Sequence, residues 1–159
     1  MKFRNIVFAV IGIIVVGLIL IQFVPGYART NPPVTYQMQW SSPETEQLMR
    51  QACYDCHSNE TRWPWYASIA PVSWLVVRDV NEGRDALNFS TGRGELEAED
   101  LINELREGEM PPSIYLITHG DANLNADQKT TLIAGIQTSS FTGAGGESDE
   151  DNETGEGDS

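Results

Sequence analysis

The longest apolar run lies at the start of the chain, where Ile6 to Val24 contains no ionisable residue. As a helix that run is about 29 Å long, close to the hydrocarbon thickness of a bilayer. Lys2 and Arg4 precede it and Pro25 follows it. Beyond Pro25 the pattern changes. Residues 25–41, with Asn31-Pro32-Pro33-Val34, read as an extended linker lifting the rest off the membrane. Ser42 then offers an N-cap and Pro43 a first helical residue, with Glu44 and Glu46 suited to the positive end of the helix dipole. Leu48, Met49 and Ala52 follow at helical spacing. Pro71 can begin a second helix with Trp74, Leu75, Val76, Val77 and Val80 as its apolar members, and Gly92-Arg93-Gly94 is a break. Between Glu95 and Glu107, residues Ala98, Leu101, Ile102 and Leu105 trace the i, i+3, i+4, i+7 pattern of an amphipathic helix. Gly108 suits its left-handed terminus, and Pro111 and Pro112 prevent continuation. Asn125, with Gln128 three residues on, opens a last helix through Leu132, Ile133 and Ile136. Neither strand alternation nor an internal repeat is present. The pattern predicts an all-α fold of about four helices, preceded by a single N-terminal transmembrane helix.

With 159 residues the chain has room for one small domain plus appendages. The expected divisions are an anchor over 1–24, the linker over 25–41, the domain over 42–140 and an acidic tail over 141–159. The tail carries Glu147, Asp149, Glu150, Asp151, Glu153, Glu156 and Asp158 with no base, has nothing to bury, and is expected to be disordered. The net charge of the whole chain is −13, so the body is acidic as well. That excludes nucleic acid as a partner, because its phosphates would be repelled. Lys2 and Arg4 should stay in the cytoplasm, which places the domain on the outer, periplasmic side of the inner membrane as a single-pass protein. The competing reading is a cleaved signal peptide ending at Gly26-Tyr27-Ala28. The apolar run is longer than a usual signal-peptide core, which favours a retained anchor.

The candidate chemistry is concentrated in Cys53-Tyr54-Asp55-Cys56-His57, which holds both cysteines and one of the two histidines. C-x-x-C-H is the attachment signature of a c-type haem: two thiols add across the two vinyl groups, and the next residue presents an imidazole to the iron. Other uses of the pair fit less well. A thioredoxin-like redox pair needs a βαβ setting, a zinc site needs four ligands where only His119 could supplement these three, and a plain disulfide would not require His57. Attachment of this haem takes place outside the bacterial cytoplasmic membrane, in agreement with the N-terminal segment. A domain of this size has a marginal core, and a buried haem would supply apolar surface.

His57 would fill one axial position on the iron. The candidates for the other are Met38, Met49, Met110 and His119. Met38 lies in the extended segment and Met49 on the helix that approaches the cysteines, so neither easily reaches the opposite face. Met110 sits between Gly108 and two prolines, in a loop that could carry a thioether across the ring; filling the core is its other use. The carbonyl of Pro71 is the expected acceptor for His57 Nδ1. Arg62, Trp63, Trp65 and Arg78 are candidate donors to the haem propionates, with core packing an equal alternative for the tryptophans.

At this point the chain resembles the haem-binding domain family of bacterial, membrane-anchored monohaem c-type cytochromes. The matching text is Asn31-Pro32-Pro33-Val34, Cys53 to Tyr66, Ile69 to Leu75, Asp79 to Arg84, Leu87 to Ser90 and Gly108 to Pro112, spread across most of residues 22–137. The resemblance implies a small cytochrome c-like helical domain around one covalent haem c, attached at Cys53 and Cys56, with His57 as proximal and Met110 as distal ligand. Ser113 stands where an aromatic residue is common in the family, and the acidic tail lies outside the match. The expected activity is electron transfer rather than enzyme catalysis, since no acid–base or nucleophile–base constellation is present. The alternatives are a haem-based sensor or a peroxidase-like enzyme with a displaceable sixth ligand, for which His119 is the available distal base. The resemblance names no redox partner.

Overall fold

A computed structural model describes residues 2–24, 26, 28–94 and 97–139. Among them every regular element is helical, and a lone bridge between Asn88 and Arg93 is the only β pairing. Helix α1, Lys2–Leu20, runs into a 3₁₀ turn at Ile21–Phe23, so the apolar segment Phe3–Phe23 forms one rod, long and apolar enough to cross a membrane. Its end is fastened to the domain. The Gln22 side chain donates to the Ala70 carbonyl at 2.9 Å and accepts from the Ala70 N–H at 3.0 Å.

Helix α2, Pro43–Ala52, starts where its cap residues predict: the Ser42 hydroxyl accepts from Thr45 N–H at 3.1 Å, and Pro43 occupies the first turn. It ends at the cysteines, and a single helical turn, α3 (Tyr54–His57), follows directly. After the 3₁₀ turn Trp65–Ser68 comes α4, Val72–Ala86, and then α5, Ala98–Glu107, which Gly108 ends in the left-handed region at φ 77°. The expected start of α5 at Glu95 lies outside the described residues. A short α6, Ser113–Leu116, precedes α7, Ala126–Thr138, which opens on the complete Asn125–Gln128 capping box.

The core forms where α2 and α5 both pack on α7. Met49, Leu132 and Ile136 are wholly buried there, with Leu48, Ile102 and Leu105 around them. Each such side chain contributes about 1.5–3 kcal/mol through removal from water. A Cβ at Gly135 would overlap the Thr45 side chain, so the glycine sets how closely α7 approaches α2. On the opposite side, Tyr54 stacks on Phe89 at 5.3 Å and Trp40 meets Phe89 edge-on at 5.4 Å.

The segment before α2 is extended as expected, but it packs along the domain instead of standing free. The N–H groups of Thr35 and Tyr36 both donate to Ser90 O at 2.9 Å, Asn59 donates to Pro33 O at 2.9 Å, and Met38 is buried. The domain's packing therefore begins well before residue 42. Pro25, Tyr27 and the acidic tail 141–159 lie outside the described residues.

Candidate cofactor site

Cys53 caps α2 through its N–H, which donates to Met49 O at 2.8 Å. Its carbonyl in turn accepts from Cys56 N–H at 3.2 Å and His57 N–H at 2.9 Å. One turn of backbone thus presents Cys53, Cys56 and His57 together, because residues three and four apart share a helix face. Both cysteines are free and half-buried. Burial pushes Cys53 up to about 12, and Cys56 up to about 11 with help from the charges of Asp55 and Asp79, so both are protonated thiols at neutral pH. Among the described residues no three His, Cys, Asp or Glu side chains gather as a metal site, where zinc would need four ligands.

His57 is oriented by the end of α4. Its Nδ1 lies 3.2 Å from the carbonyl of Leu87, the residue that caps α4, and Phe89 N–H donates to His57 O at 2.9 Å. Burial moves the imidazole below its usual pKa, so the ring is neutral and Nε2 is the nitrogen left to hold a metal. The acceptor is therefore Leu87 and not Pro71, as the sequence had suggested. Pro71 sits at the far end of α4, where its carbonyl accepts from Trp74 N–H at 3.1 Å. Gly83 explains how α4 comes so near: a Cβ there would lie 2.8 Å from Cys56 O.

Asp55, between the cysteines, holds a second fastening. Its buried carboxylate accepts from Arg62 N–H at 2.9 Å and from the Arg62 guanidinium at 3.1 Å and 3.3 Å. It also accepts from the Tyr115 hydroxyl at 2.9 Å. Burial and the adjacent Asp55 charge push the Tyr115 phenol well above its usual pKa. Tyr66 and Thr118 hydroxyls add a contact of 2.8 Å. The Tyr115–Asp55 bond ties α6 to the Cys53–His57 turn, and the Tyr66–Thr118 contact ties the loop after α6 to the Trp65–Ser68 turn. Met110 stands at the entry to that loop, after Gly108 and before Pro111 and Pro112, with its N–H donating to Glu104 O at 3.3 Å. It is 38 % exposed, and Ile114 and Ile117 beyond it are 59 % and 80 % exposed.

At His119, Nδ1 lies 3.1 Å from both Thr118 Oγ1 and Tyr115 O, and the ring stacks on Tyr115 at 4.0 Å, so Nδ1 is the engaged nitrogen there as at His57. Met38 and Met49 belong to the core. The four candidate propionate donors lie apart in their bonding. Arg62 faces Asp55, Trp63 Nε1 donates to Asn31 Oδ1 at 3.1 Å, Arg78 pairs with Glu82 at 2.7 Å, and Trp65 stands exposed with its ring against Tyr66.

Sequence reasoning missed Arg84. Buried, it donates to Ser58 O at 2.7 Å, Thr30 O at 2.8 Å, Asn31 Oδ1 at 2.9 Å and Thr61 Oγ1 at 2.7 Å. It stitches the extended segment, the stretch after His57 and α4 into one unit. The available signal was that Asn31 and Arg84 both fall within the matching text.

The residues present fit a haem: two thiols and a neutral, oriented imidazole share one helical turn, and uncovered apolar side chains sit on a loop bonded to that turn. No curated protein and no solved structure gives a significant match to this chain. A model of the Haem-binding domain family matches residues 16–138. The chain, by that match over most of its length, belongs to the haem-binding domain family and binds haem.

Proposed function

We propose that the chain is a monohaem c-type cytochrome, held by α1 in the inner membrane and carrying electrons on the periplasmic side. The observation that carries this reading is the Leu87 carbonyl 3.2 Å from His57 Nδ1, directly after C-x-x-C. It fixes the tautomer and aims the other nitrogen, as a permanent axial ligand requires. Cys53 and Cys56 would form the two thioethers, the S–H of each adding across one vinyl group with no net oxidation. Bound haem supplies a one-electron iron couple, and a thioether as sixth ligand favours a raised potential. Met110 is the proposed sixth ligand, held by the Gly108 turn, the two prolines and the Tyr115–Asp55 bond.

An optical spectrum of the purified protein in both oxidation states, taken with acid–acetone extraction, tests the proposal. The expected result is a six-coordinate low-spin haem that stays with the polypeptide. Complete loss of haem on extraction would rule out covalent attachment, and a high-spin ferric spectrum would leave a sensor or peroxidase in place of a carrier.

A further inference from the structure

A second surface is marked out by where α1 joins the domain. The Gln22–Ala70 pair of hydrogen bonds sets the end of the apolar rod beside the start of α4. Gly26 lies under Trp74, where a Cβ would come within 2.7 Å of the indole. Around this junction the domain exposes apolar groups that no described residue covers. Trp65 is 77 % exposed, and Ile69, Val72 and Leu75 are all exposed. Val72 and Leu75 lie on the outward stripe of α4, away from its buried stripe of Val77, Val80 and Arg84.

We infer that this face, Trp65, Ile69, Val72 and Leu75, lies in the headgroup–acyl boundary of the same bilayer that α1 spans. The inference rests on the proposed membrane-spanning role of α1. The exposed stripe of α4 changes character with distance from the junction. Val72 and Leu75 come first, and the Arg78–Glu82 ion pair follows at 2.7 Å. At about 1.5 Å of rise per residue, the apolar part occupies the first turn or so, and the ion pair begins about 9 Å beyond Val72. The polar zone on each side of a bilayer is of the order of 5–8 Å deep, so with α4 rising away from the membrane the switch falls near the edge of that zone. The aromatic pair Trp65 and Tyr66, with ring centroids 5.8 Å apart, provides amphipathic rings of the type that gather at this depth. Arg29, donating to Ser68 Oγ at 2.6 Å, adds a positive charge beside the patch, suited to an anionic phospholipid. A soluble protein partner would not need the apolar patch to stop at the distance where water begins.

Full-length protein in nanodiscs of phosphatidylethanolamine and phosphatidylglycerol, doped with a phospholipid carrying a diazirine near its glycerol, provides the test. Adducts should map by peptide mass spectrometry to residues 65–75 as well as to α1. The Val72→Glu, Leu75→Glu double variant should lose the adducts on 65–75 and keep those on α1, with its haem spectrum unchanged. Adducts confined to α1 in the wild type would overturn the inference while leaving the anchor intact. Absence of adducts from α1 as well would refute the anchor reading and the inference with it.

Discussion

At the residue scale, the site rests on side chains whose work is to hold others. His57 stands out from C-x-x-C-H alone, because that spacing is the attachment signature of a c-type haem. Its orienting carbonyl was not recognisable, because which carbonyl arrives at Nδ1 depends on where fifteen residues of α4 deliver the chain. Pro71 and Leu87 stand at opposite ends of that helix, and only packing chooses between them. Met110 and Tyr115 illustrate the same division. Met110 is a candidate from its Gly and Pro neighbours alone, whereas the phenol that fastens its loop shows only in three dimensions. Met110→Leu should remove the weak far-red sulfur-to-iron band of the ferric protein and let the ferrous form bind CO readily, while the wild type resists CO. Rapid CO binding by the wild type would refute Met110 as sixth ligand. Tyr115→Phe should keep the haem attached but loosen the loop, raising CO association relative to wild type. It should also cost about 1.5–3 kcal/mol of stability, as expected for one hydrogen bond to a carboxylate. An unchanged CO rate would mean that the Asp55–Tyr115 bond does not hold Met110 in place.

At the scale of elements, helix ends were the most legible features because they are written in a few adjacent residues. Ser42-Pro43, Asn125 with Gln128, and Gly108 each fell where local hydrogen bonding and left-handed geometry demand them. Helix contacts were less legible, since a glycine inside a helix carries no signal of what approaches it. Gly83 reads as a weak point in α4, yet it is the place where α4 rests on the backbone of Cys56. Gly83→Ala would raise helix propensity, a gain of about 1 kcal/mol, but its methyl group would meet the Cys56 carbonyl. Because the obstacle is backbone, α4 must move, and the net effect should be a loss of about 1–3 kcal/mol in denaturant unfolding. A shift of α4 would also displace Leu87 O from His57, so the haem spectrum should broaden or change spin state. A variant as stable as the wild type with an unaltered spectrum would show that α4 does not set the imidazole.

At the scale of the whole molecule, the apolar rod and the site are joined through the extended segment, which sequence had read as a free linker. Prolines at 32 and 33 do predict extended backbone, but not the Arg84 and Ser90 groups that bind it down. The placement is open to direct test: a reporter fused after Ser159 should be active only outside the cytoplasm, and the protein should fractionate with membranes. A soluble periplasmic product would indicate cleavage near Ala28.

The same whole-molecule view yields a pH prediction that separates a ligated His57 from a merely buried one. In the haem-free chain, burial holds the imidazole below its ordinary pKa of 6.5. The unfolded chain then takes up a proton that the folded chain refuses. The resulting stability is complete above 6.5 and declines as pH falls through the folded-state value. With haem tethered at Cys53 and Cys56, His57 stays beside the iron when the chain unfolds; with Nε2 on iron in both states, the imidazole takes up no proton on unfolding over the same range. The protein's other titrating groups, Asp79 among them with a raised carboxyl, are common to both forms; the haem propionates are not, so the difference is read against the same pair of chains carrying His57→Gln. Thermal melts of a Cys53→Ala, Cys56→Ala chain and of the haem-bearing protein, each taken from about pH 7.5 to 5, should therefore diverge. The haem-free melting temperature should fall more steeply as pH drops, on top of a lower starting value due to the lost apolar contact. Parallel curves would mean that His57 takes up the proton on unfolding in both, which is incompatible with its staying on the iron in the unfolded chain.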